Sequence, residues 1–311
     1  MNYKVKVGVL GIIALLFALV LPELNSSSAQ GTLQKATVLE VRDGDTIRVE
    51  FEDGRGEWVR YAGIDAPELE NCSGTEAREA NGKLVNHVNH KEIWLEKNPQ
   101  DGDYERDRDG RILAYVWLEA EKLNLAQVRL VQSGAVRFNP GQYIKDDVDL
   151  PFFPVRYAQQ IMAAQIAAAQ QRAGWWGECD PYHGSDLATA AIKYWGDEEI
   201  VYIVNRGAKP IDLGQGWVLR DSTESDRNRL QFSTITGPTC LLPAGGLLRV
   251  HSGPGIPEEQ RKTHTRCNEM EIDLYWTGYK IWGNKGDRAR LFNPEGALMH
   301  EYIYPPHLAY E

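Results

Sequence analysis

The chain has 311 residues, 42% hydrophobic and 25% charged, with a formal net charge of -10. That is apolar material for more than one core, which excludes a largely disordered chain. The acidity excludes a protein that coats nucleic acid by charge alone, but not an enzyme that meets a polyanion through a bound cation.

Lys4 and Lys6 precede an apolar run over residues 7 to 21, VGVLGIIALLFALVL. At ~1.5 Å per residue this run is short for a ~30 Å hydrocarbon core. Small residues follow, and Ser27 and Ala29 suit cleavage after Ala29. Residues 1–29 therefore read as a signal peptide, the alternative being an uncleaved anchor. Cleavage implies a secreted or envelope-associated protein with no stable membrane span in its mature form.

KATVLEV and TIRVEF read as strands joined by RDGD, and EDGRG turns into EWVRYAGI. Residues 75–89 have helical spacing of Ala77, Ala80, Leu84 and Val88, with Ser73 and Glu76 as a capping box. KEIWLE and RILAYVWL are two further strands, separated by the charged NPQDGDYERDRDG. A second helix is expected over 124–132, with Asn124 as N-cap and Gly134 as its stop. A third is expected over 154–173, ending at Gly174, with Val155, Ala158, Ile161, Gln165 and Ala168 on one stripe. Five strands with helices at intervals fit an α+β barrel of the OB type.

CDPYHGSD then reads as a linker. From about residue 187 short strand-like runs alternate with turns such as NRG, PAGG and NPEG, the texture of an all-β sandwich. The expected organisation is a signal peptide at 1–29, a barrel domain at 30–180, a linker at 181–189 and a sandwich domain at 190–311. In an exported chain the four cysteines read as disulfides. They allow three pairings. The one that stays within each domain joins Cys72 to Cys179 and Cys240 to Cys267.

The chemistry concentrates in RYAGIDAPE, residues 60–68. Pro67 forces Ala66 into extended backbone, which can turn the Ala66 carbonyl outward beside the Asp65 carboxylate. Asp45, in VRDGDTIRV, adds a second carboxylate, and such hard oxygens suit Ca²⁺. Glu68 can hold an attacking water. Arg60 and Arg111 offer guanidinium forks to phosphate oxygens. On a straight strand Arg60 and Asp65 face apart, so one site requires a bend, which Gly63 can supply.

VRDGDTIRV, RYAGIDAPE, DRDGRILAYVW, LNLAQVRLVQSGAVRF and AGWWG, in this order over residues 35–177, resemble the staphylococcal nuclease (thermonuclease) family. The resemblance implies an OB-fold barrel with three helices. It also implies Ca²⁺ ligands at Asp45, Asp65 and the Ala66 carbonyl, with catalytic roles for Arg60, Glu68 and Arg111. Asp43 falls where the family has a further carboxylate near the metal. Arg108 and Asp109 stand where the best-known member has a basic and an aromatic residue, and Arg108 takes a substrate-binding role. FNPGQYIKDD does not align with the tyrosines that pack on the nucleotide. EEIVYIVNRGAKPIDLGQGWVLRD and the segments to residue 305 resemble the bacterial lamin-tail domain, which implies an immunoglobulin-like sandwich that binds or tethers an unknown ligand.

Three motifs compete for attention. ERDRDGRI resembles the start of an EF-hand, but Val116 stands where the bidentate glutamate is needed. His87 and His90 form HVNH without a third ligand. Tyr275, Trp276, Tyr279 and Trp282 suit a core or sheet edge better than base stacking. The expectation is a secreted Ca²⁺-dependent nuclease acting on DNA and RNA. Its rival is a surface or matrix protein whose barrel binds nucleic acid without cutting it.

Overall fold

The computed structural model describes residues 33–85, 92–97, 103–121, 124–141, 156–261 and 265–310. The signal segment, the HVNH motif and most of FNPGQYIKDD lie outside them.

Strands β1 (Gln34–Val41), β2 (Thr46–Phe51) and β3 (Gly56–Tyr61) form an antiparallel meander. After the short β4 (Ile64–Asp65) and helix α1 (Gly74–Val85) come β5 (Glu92–Lys97) and β6 (Ile112–Trp117). β6 joins β3 in parallel, β5 pairs with β6 and β1, and the order β1-β2-β3-β6-β5 closes a barrel. Closure leaves no open edge among these strands, so alternate residues such as Ile47, Val49 and Phe51 fill the inside.

Helix α2 (Ala126–Gln132), strand β7 (Arg137–Phe138), helix α3 (Ala158–Gln171) and the single turn α4 (Trp175–Glu178) complete this half. The five strands and three longer helices match the expected pattern. Several ends differ. Asn124 does not cap α2: its amide bonds Glu119, and the N-cap is Leu125, with no side-chain cap bond. Ser73 makes no capping box either. Its φ of 66° is left-handed, and its hydroxyl lies 3.2 Å from Cys179 Sγ. α3 ends at Arg172, in the left-handed region, before Gly174 is reached.

The second half holds β8 (Leu187–Lys193), β9 (Glu199–Asn205), β10 (Ile211–Asp212), β11 (Val218–Arg220), β12 (Arg229–Gln231), β13 (Leu241–Leu242), β14 (Leu247–Ser252), β15 (Glu271–Thr277), β16 (Asp287–Phe292) and β17 (Leu298–Tyr304). Two four-stranded sheets, β15-β14-β9-β8 and β12-β11-β16-β17, bury their inner residues in one cluster. Trp282 is part of that core, whereas Tyr279 is 60% exposed under the Arg227 guanidinium. β10 and β13 form a separate pair.

The described residues form one compact unit. Helix α3 is the reason. Ala158 and Ile161 pack into the barrel core, while Ala168 and Ala169 pack into the sheet core. Gln165, on the same stripe, receives the Phe138 N–H and donates to the Ala190 carbonyl and Tyr302 hydroxyl. A face that serves two cores is less apolar than one that serves a single core. CDPYHGSD, a linker by composition, is also built in: buried Asp180 ion-pairs with buried Arg206 at 3.2 Å. Both disulfides pair as expected, Cys72 with Cys179 and Cys240 with Cys267. Among the described residues no helix is long and apolar enough to cross a membrane.

Candidate active site

The β1–β2 turn presents Asp45 as a fully buried carboxylate. Gly44 permits this, because a Cβ there would come within 2.7 Å of the Ala66 Cβ and 2.8 Å of the Ala77 Cβ. The Asp-Gly pair is therefore more than a hairpin turn: it lets the turn press onto the Asp65–Ala66 segment. Asp45 Oδ2 accepts the Ala66 N–H at 2.7 Å, and the Thr46 hydroxyl bonds Oδ1 at 3.0 Å.

The bend expected at Gly63 is there. β3 ends at Tyr61, Gly63 takes φ +79°, and the chain resumes as β4. This reversal puts Asp65 back on Arg60. One Arg60 nitrogen ion-pairs with Asp45 Oδ1 and the other with Asp65 Oδ1. Two buried acids thus share one guanidinium, which offsets their mutual repulsion. Asp65 Oδ2 is buried and has no partner.

Arg111 sits at the same end of the barrel, its Nη1 3.5 Å from the Thr46 hydroxyl. Asp107 holds its Nε at 2.7 Å and Asp109 its Nη2 at 3.0 Å. The acids of the EF-hand-like loop therefore orient an arginine. Asp107 also accepts the N–H groups of Asp109 and Arg111, which closes the turn. Arg108 is exposed on that turn. Glu68 is exposed at the start of the turn after Pro67, where its carbonyl accepts the Asn71 N–H. Asp43 accepts the Asp45 N–H and supports the turn that carries it.

Sequence reasoning missed four supports. Buried Asn81 donates to the Asp43 carbonyl and accepts from the Tyr61 hydroxyl, so α1 fixes the Asp45 turn. Thr46 links Asp45 to Arg111. Arg137 lies opposite Asp65 in the β4–β7 ladder. Tyr310, near the end of the chain, donates its hydroxyl to the Asp65 carbonyl at 3.1 Å. Burial pushes the Tyr310 phenol well above its ordinary value, so it keeps the proton it donates. Asn81 stands on a helix face with apolar neighbours, a sequence cue. Tyr310 has none, because it reaches the site over 245 residues.

Asp45, Asp65 and the Ala66 carbonyl fit a hard divalent cation by their donor chemistry, and the orphaned Asp65 Oδ2 is an acceptor such an ion would satisfy. Among the described residues no three His, Cys, Asp or Glu side chains converge as a metal cluster. Two carboxylates would need carbonyl and water oxygens to complete the shell. The arginine stands on both acids here, as a cation would.

The fold and site together are a closed five-stranded barrel that carries two buried acids and two arginines at one end. Residues 58–178 match the family described as Staphylococcal nuclease homologue. The thermonuclease of Staphylococcus intermedius is 31% identical over 141 residues, 43% of this chain and 80% of that protein. The thermonuclease of Staphylococcus hyicus is 36% identical over 107 residues, 33% of this chain but 59% of that protein. Endonuclease YncB of Bacillus subtilis is 32% identical over 114 residues, 36% of this chain and 51% of that protein. The chain belongs to the staphylococcal nuclease homologue family.

Proposed function

We propose that this protein is a secreted, Ca²⁺-dependent nuclease that hydrolyses phosphodiester bonds of DNA and RNA. The observation that carries this reading is the convergence of Asp45, Asp65 and Arg60 at the end of the barrel where Arg111 also lies. Similarity to two thermonucleases and an endonuclease supports it. Asp45, Asp65 and the Ala66 carbonyl would hold Ca²⁺, which when bound supplies positive charge to a phosphate. Glu68 would orient the attacking water and take its proton. Arg111, pre-aimed by Asp107 and Asp109, would bind phosphate oxygens, whose charge grows as the attack proceeds. Arg60 would share that role once its acids have a second cation to face. Arg108, exposed beside Arg111, would contact the flanking backbone.

Residues 1–29 act as the signal peptide in this reading, and the disulfides suit an oxidising compartment. The region from 190 is taken as an immunoglobulin-like lamin-tail module for binding or tethering, a reading that its two four-stranded sheets support.

A plasmid-nicking assay on the protein lacking residues 1–29 tests the proposal. Cutting should stop with EDTA and return with Ca²⁺. Arg111→Ala should lower turnover by about 100-fold or more, as loss of a charge-stabilising donor does. Undiminished cutting in EDTA would refute the cation role. Binding without cutting under any divalent ion would favour the non-catalytic surface protein instead.

A further inference from the structure

A cavity of about 100 Å³ lies where the two cores meet. Arg137, Trp175, Trp176, Tyr182, His300 and Tyr302 form part of its wall. Arg137 is 1% exposed. Its guanidinium carbon lies 4.6 Å from the Tyr302 ring centre, 4.9 Å from Trp175, 5.4 Å from Trp176 and 5.9 Å from Tyr310.

The guanidinium has five donors, yet its hydrogen bonding is one bond from Nη2 to the Ile303 carbonyl at 3.1 Å. Arg137 Nε is buried without an acceptor, and so is Trp176 Nε1. Both are donors that cannot accept, so an acceptor is the missing partner of each. No carboxylate among the described residues ion-pairs with Arg137. Asp65, opposite in the ladder, gives Oδ1 to Arg60. Asp180 serves Arg206 and His300, and Glu301 faces Arg288 at 3.5 Å. The Thr189 N–H donates to His300 Nδ1, so the His300 proton sits on Nε2 toward Asp180, and the ring is neutral. The cavity wall therefore carries the Arg137 cation, which no described carboxylate ion-pairs, and the Glu301 carboxylate, which faces Arg288; Arg137 Nε and Trp176 Nε1 are unanswered donors in the same wall residues. Aromatic faces return part of the cost of burying a cation but do not neutralise it.

We propose that this cavity binds one small inorganic anion, between chloride and phosphate in size, beside the Arg137 guanidinium and the Trp176 side chain. The volume holds such an ion or a few waters and is too small for a nucleotide. The anion would complete the junction between β7 and β17. It stands whether or not the barrel cuts nucleic acid.

The test melts the full chain lacking residues 1–29, free of divalent ions, at constant ionic strength. Chloride or phosphate replaces gluconate, which is too large to enter. The wild type should gain Tm with the logarithm of chloride or phosphate concentration, and Arg137→Met should gain nothing. Equal Tm of the wild type in all three anions, or an equal gain in Arg137→Met, overturns the site. If Arg137→Met does not fold, wild-type tryptophan fluorescence decides. Saturable quenching by iodide with none by caesium supports the site, and linear quenching by iodide leaves only water there.

Discussion

Arg60 is the residue on which the site balances. It is 13% exposed at its side chain and holds two acids, Asp45 at 0% and Asp65 at 10%. Removing one member of a buried pair strands the charges it leaves. Arg60→Met should therefore cost about 3 kcal/mol in denaturant melts without divalent ions. If the proposed Ca²⁺ site is right, added Ca²⁺ should restore most of that loss, because the ion would meet the same oxygens. If Ca²⁺ leaves the variant's midpoint unchanged, the acids do not form a cation site. Tyr310 tests the same site from the far end of the chain. Tyr310→Phe removes one bond to the Asp65 carbonyl. It should cost about 1 kcal/mol and shrink the Ca²⁺-induced rise in Tm. A normal rise would make Tyr310 a packing residue only.

Among the elements, the segment after Pro67 depends on its anchors. Cys72 joins this loop to Cys179 at the end of α4, across a sequence separation of 107. Constraining a ring of that size in the unfolded chain is worth about 5 kcal/mol in the chain-entropy account. The double variant Cys72→Ala with Cys179→Ala should lose stability of that order in urea titration. A loss under about 1 kcal/mol would mean that strain in the folded loop offsets the entropy. At this scale much was legible. Alternation in TIRVEF and the helical stripe through Ile161 and Ala168 depend on short-range periods, which sequence displays directly. The helix caps were less legible. Ser73 and Asn124 have the right chemistry for caps, but other partners take their side chains instead: distant Cys179 for Ser73, and Glu119, five residues back, for Asn124.

Across the whole molecule, the two halves meet through buried polar groups. Burial alone would raise Asp180, but the bond from His300 and the charge of Arg206 outweigh it, and the acid sits below its ordinary value. Burial lowers His300 below its ordinary 6.5, against the pull of Asp180. The two shifts act in the same direction. As pH falls through 6.5 the unfolded chain takes up the His300 proton before the folded chain does, so stability is lost. Below the ordinary carboxylate range Asp180 adds to the loss. Urea midpoints should therefore drop between pH 7 and pH 5. His300→Gln, which keeps a donor for Asp180 but does not titrate, should flatten that part of the profile. An identical slope in the variant would place the acid sensitivity elsewhere.

The sequence by itself determined the barrel's strands and helices, the disulfide partners' domains and the need for a bend at Gly63. Each follows from local periodicity, from cysteine count or from the fixed alternation of a strand. It also marked Asp45, Arg60, Asp65 and Arg111, because their types and order are those of one family. Only the tertiary structure decided that Arg60 holds both acids, that Asp107 and Asp109 aim Arg111, and that Asn81 and Tyr310 brace the site. It also decided that α3 and Asp180 join two cores that composition alone would separate. Ion pairs and hydrogen bonds between distant residues leave no period in the chain, so they become visible only when folding brings the partners together.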